Sequence, residues 1–110
     1  MRLRLILEHG GHAITKRVEL PEVPAVGSVV LADRERRVVS VAPVAERGDV
    51  DVYVREDGDD IKMQVIPEAH LAYVELMKRD GWDVEEEAAL RAWLRERISR
   101  QGRDGPVDLN

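Results

Sequence analysis

The sequence predicts an α+β protein: a small antiparallel curled sheet or barrel of about six strands, followed by a C-terminal helical hairpin. Three observations predict it. Up to about residue 66, apolar residues recur in short runs with a period near two, punctuated by glycine, proline and Asp-Gly steps. From Pro67 the spacing becomes helical. The 110 residues, 44% hydrophobic and 35% charged, suit one domain that builds a core without staples. Residues 1–100 are expected to form it, with 1–66 as the β-rich part, 67–100 as the helical hairpin, and 101–110 as a flexible tail.

The first element is a hairpin. Gly10-Gly11 is a two-residue loop of the kind that needs positive φ. Folding there sets His9 opposite His12, Ile6 opposite Thr15, Leu7 opposite Ile14, Leu5 opposite Lys16, Arg4 opposite Arg17 and Leu3 opposite Val18. The apolar side chains then fall mostly on one face. The stretch "LPEVPAVG" is a proline-punctuated connector. Residues 29–32 and 38–45 are apolar on both faces, which points to a closed or strongly curled sheet. "DRER" is the polar turn between them, with its register ambiguous by one residue. A further hairpin is expected around Asp57-Gly58, a type I′ signal. It pairs Val54 with Ile61, Val52 with Met63 and Val50 with Val65, leaving Asp51, Tyr53, Lys62 and Gln64 on the other face.

Two helices follow. Pro67 sits at a favoured first helical position, and the first helix ends near Gly81. The second is expected to begin at Asp83, with Glu86 completing a capping box. Acids fill its first turn and arginines its last. Its apolar stripe is Leu90, Trp93, Leu94 and Ile98. The segment "VPAVGSVVLADRERRVVSVAPV" loosely resembles the opening of SH3-like barrels, where a Val-Gly step leads into a strand and a tight turn returns it. Many unrelated small barrels share this pattern. It carries no functional motif, so no residue role follows from it.

Composition excludes several functions. Without cysteine there are no disulfides, thiolate nucleophiles or thiolate metal sites. No apolar run suits a signal or a membrane span, so a cytoplasmic protein without membrane contact is expected. Net charge is −5, and residues 55–60 hold one basic against four acidic side chains. That balance lacks the positive field of a nucleic-acid binder. Hydrolase, phosphate-loop and zinc-protease motifs are missing, and no cofactor is expected.

Two clusters invite chemistry. Glu8, His9 and His12 are weak candidates for a metal site, lacking the third or fourth ligand zinc needs; a small enzyme or metal-binding protein using His9 and His12 is the lesser alternative. Arg34, Arg36 and Arg37, with the arginines of the last helix, form the basis of a nucleic-acid alternative, but exposed aromatics for stacking are few. The favoured expectation is a non-enzymatic interaction module or accessory subunit, acting on a protein partner or a second copy through its helical hairpin or a sheet edge. Trp93, Leu94, Leu90 and Ile98 are its candidate contact residues, and Arg91 and Arg95 its charged rim.

Overall fold

The computed structural model describes residues 1–44 and 49–104, the last four in backbone only. Six strands, β1 (Arg2–His9), β2 (His12–Glu19), β3 (Val29–Leu31), β4 (Glu35–Val44), β5 (Asp49–Val54) and β6 (Asp83–Val84), form one sheet in the order β3-β4-β5-β1-β2-β6. The described residues also form three helices, α1 (Gly58–Lys62), α2 (Pro67–Arg79) and α3 (Glu87–Asp104). The class is α+β, and the sheet is open rather than closed into a barrel. None of these helices is long and apolar enough to cross a membrane.

The β1–β2 hairpin has the register expected of a turn at Gly10-Gly11, from Leu3 opposite Val18 to His9 opposite His12. Both glycines have positive φ. Leu3, Leu5, Leu7 and His9 point to the helices and are buried. Arg4, Ile6 and Glu8 point to the other side of the sheet. Each buried leucine contributes roughly 2 kcal/mol of burial.

The Asp57-Gly58 hairpin does not form. Val50, Val52 and Val54 do share an inward face, with Asp51 and Tyr53 outward, but β5 is a central strand. It pairs antiparallel with β4 and parallel with β1, Val52 lying opposite Leu5. Both of its edges are occupied, so residues 61–66 have no edge to join. Asp57 instead caps α1. Its carboxylate accepts from the Asp60 backbone N–H at 3.0 Å, and the Asp60 carboxylate accepts from the Asp57 N–H at 2.8 Å. This reciprocal box satisfies two donors that a helix start otherwise leaves open. The sheet is therefore mixed, not purely antiparallel.

The doubly apolar stretch 38–45 has a different cause from barrel closure. A bulge between Val38 and Ser40 inserts one residue, so Val38 faces Val54 while Val41 faces Val52. Val39 is left outside, and Val29 and Leu31 of the edge strand β3 are exposed beside Arg37 and Glu35. Residue 45, at the end of that stretch, lies outside the described residues.

Pro67 opens α2 as expected, with Ile66 as its N-cap. The second helix starts later than its capping pattern suggests. Asp83 and Val84 pair with Thr15 and Ile14 as β6, and Glu86 takes a positive φ of 53° before α3 begins at Glu87. An extended Asp83 held in a sheet cannot cap that helix. The two helices run antiparallel, with Lys78 paired to Glu87 and Arg91 to both Glu75 and Glu87. The helical backbone continues to Asp104, into the segment expected to be a tail; residues 105–110 lie outside the described residues. Tyr73, Val74 and Met77 from α2, Leu90 and Leu94 from α3, and Trp82 close the core over the sheet.

Candidate functional site

Arg36 belongs to the inward phase of β4, two residues before the buried Val38 and opposite the buried Val30. An arginine there must be paired to survive burial. It is 1% exposed, and all of its guanidinium is engaged. Nε and Nη2 donate to the two oxygens of Asp33 at 3.0 and 2.7 Å. Nη2 also donates to Asp60 Oδ1 at 3.1 Å, and Nη1 donates to Asp60 Oδ2. Asp60, 0% exposed, accepts further from the Tyr73 hydroxyl at 2.8 Å. Burial alone would raise the Asp60 carboxyl pKa. The donors from Arg36, the Asp57 backbone and Tyr73 outweigh that and hold it well below the usual carboxylate range. Burial and the bond to Asp60 push the Tyr73 hydroxyl well above its ordinary value.

The two inner histidines adjoin this network. His9 Nε2 donates to the Asp60 carbonyl oxygen at 2.7 Å, which assigns the ring proton to Nε2. Its ring stacks on Tyr73 with centroids 4.1 Å apart and meets His70 edge-on at 4.9 Å. His9 Nδ1 and His70 Nε2 are both buried without a hydrogen-bond partner. Burial depresses both imidazoles, His70 to about 4, where His9, His12 and Arg97 add to the effect. Glu56, 3.8 Å from His9 Nε2, is raised by burial and by the Asp60 charge.

The cluster fastens four elements together: β4 through Arg36, α1 through Asp60, α2 through Tyr73 and His70, and the hairpin through His9. Sequence reasoning left Asp60, Tyr73 and His70 out of its candidate sites and placed Arg36 only in a nucleic-acid loop. Two signals were present. Asp57-x-x-Asp60 is a capping pattern, and Arg36 is in phase with Val38.

The expected site residues separate. His9 faces the helices, while Glu8 points to the opposite side of the sheet. Among the described residues, no three histidine or acidic side chains gather as a metal-ligand set. Glu8 and His12 instead line a groove of about 390 Å³ with Arg4, Ile6, Tyr53 and Glu85. Arg4, one of its lining residues, is bonded to Asp51 at 3.1 and 3.0 Å. Of the arginine loop, Arg34 pairs with Asp57 at 2.8 Å, Arg36 is buried, and Arg37 donates to the Gly27 carbonyl.

In the helical hairpin, Leu90 and Leu94 are core residues packed under α3. Ile98 and Arg91 are half-buried, and Arg95 is exposed. Trp82 is buried, its ring edge donating to Asp80 at 3.2 Å. Trp93 faces outward at 46% exposure, with the Arg97 guanidinium 4.8 Å above its ring. Arg97 lies close enough to His70 to depress it, and the His70 amide donates to the Ile66 carbonyl. Val65 and Ile66, just before α2, are exposed as well. Searches for a matching protein family, a matching curated protein and a matching solved structure found none.

Proposed function

We propose that the protein is a non-enzymatic interaction module whose contact surface is the outer face of α3 around Trp93. The observation that carries this reading is the outward Trp93, 46% exposed and stacked by Arg97. Tryptophan and arginine are the side chains that most often dominate binding energy. A ring already held by a cation loses little freedom on docking. Val65 at 69% exposure and Ile66 at 50% are further exposed apolar side chains. Arg95, exposed on the same helix, gives a cationic rim that selects an acidic partner more than it adds affinity. The partner is a second copy or another protein.

The test compares wild type with Trp93→Ala. Light scattering over a concentration series, and capture of salt-stable partners from the native host, are run beside circular dichroism. The expected result is loss of association with an unchanged fold, because Trp93 contributes little to the core. Acrylamide should quench Trp93 in the free chain and lose access on association, while Trp82 stays shielded throughout. A Trp93→Ala protein that retains the partners and self-association of wild type overturns the reading.

A further inference from the structure

We propose that the joint between the β1–β2 hairpin tip and α2 is an acid-opened latch with His70 as its trigger. Adding a proton to His70 drives its ring from beneath Gly10 and frees the tip, while the Arg36–Asp60 pair keeps α1 fastened.

The geometry isolates His70. Gly10 sits so close that a methyl group there would lie 2.8 Å from His70 Cε1 and 3.4 Å from its Nε2. Nε2 is buried without a partner. A neutral ring with its proton on Nδ1 leaves a lone pair there at modest cost, whereas an imidazolium must place a charged N–H there without a hydrogen-bond partner. The groups that bear on His70 are all neutral or cationic: His9 from β1, His12 from β2 and Arg97 from α3. Gln64 Oε1 approaches the same point beside Gly10, but it is uncharged and makes no hydrogen bond to His70 Nε2, and the Gln64 amide donates to Glu56 at 3.2 Å.

His9 differs in kind. It also faces Arg36 and His12, but the Asp60 carbonyl and charge offset them, Glu56 stands nearby, and Tyr73 offers a ring face to a cation. His9 Nδ1 is buried without a partner as well, and burial depresses His9 too, but Asp60 offsets part of that cost for His9 and no anion does so for His70. The Asp60 carboxyl, held well below its usual range, stays charged after His70 has titrated. The joint therefore yields before the Arg36–Asp60 pair. This inference is independent of the docking role of Trp93.

The experiment follows the three imidazoles of the full chain by NMR from pH 8 to 4. Hydrogen exchange is read at the His12 amide and across α1. In the wild type, His70 stays neutral well below the ordinary imidazole value, and His12 protection falls about tenfold or more between pH 6.5 and 4 while α1 holds. His70→Gln should lose that pH dependence. Three results each overturn the proposal: His70 titrating near 6.5 with the tip unchanged, His70→Gln showing the same fall, or the tip and α1 losing protection together. If His70→Gln fails to fold, the wild-type titration and exchange pattern alone decide.

Discussion

Gly10 and Asp60 show how single residues hold the interior together. Gly10 has φ +57°, and a Cβ there meets both His70 and Gln64 Oε1, the latter at 3.1 Å. Two costs add, a left-handed backbone and an overlap with packed side chains. Gly10→Ala should destabilise by roughly 2 kcal/mol. Gly11→Ala, with similar positive φ but open space around it, should cost only about 1 kcal/mol. Urea titration of both variants checks the difference, and equal losses would show that the contact with His70 is unimportant. Asp60 is the opposite case, a buried charge that four donors require. Asp60→Asn keeps the shape and removes the charge facing Arg36. Breaking a buried pair in this way costs about 3–5 kcal/mol. A loss under about 1 kcal/mol would mean that Arg36 finds water or Asp33 suffices.

At the scale of the element, α1 decides what a turn signal means. Asp57-Gly58 reads equally as a type I′ turn and as an N-cap with its first helical residue. Gly58 has no positive φ, and a methyl group there would meet nothing within 4 Å. Gly58→Ala should therefore be neutral or stabilise by up to about 0.5 kcal/mol. A hairpin turn would instead lose stability on the same change. Asp57→Ala should cost about 1 kcal/mol, since it removes half of the capping box. Thermal melts of the two variants distinguish cap from hairpin by the sign at Gly58. At the other end of the chain, Trp93 and Leu94 are sequence neighbours with opposite fates. They lie about 100° apart on the helix, and the narrow seam against α2 takes Leu90 and Leu94 and leaves Trp93 outside.

For the whole molecule, burial of titratable groups makes stability depend on pH in two stages. His9 and His70 have folded pKa values below the unfolded imidazole value of about 6.5. The unfolded chain then binds more protons in that interval. Their contribution is complete above about pH 6.5 and is lost as pH falls toward about 4, the His70 value. Asp60, also depressed, contributes stability above the unfolded carboxyl value of about 3.9, and this is lost only at lower pH. Chemical denaturation at intervals from pH 8 to 3 should show a decline beginning near 6.5 and steepening below about 4. A flat profile down to pH 4.5 would show that the two imidazoles are hydrated in solution.

Local chemistry determined the first hairpin, the inward phase of β5 and the start of α2. Gly10-Gly11 admits one tight turn, alternation assigns Val50, Val52 and Val54 to one face, and Pro67 opens a helix without losing a bond. Each is settled within a few residues. Strand partners are not. Only the assembled sheet shows that β5 lies between β4 and β1, which denies residues 61–66 an edge and turns Asp57 into a cap. The same holds for Asp83, which reads as a cap in isolation but pairs with Thr15 once β2 offers its free edge. The buried cluster was visible only in fragments, as an in-phase Arg36 and a capping Asp60, because its members come from β1, β4, α1 and α2. Backbone hydrogen bonds between strands and burial of charge are satisfied across long stretches of chain, so tertiary structure alone selects which partner each group takes.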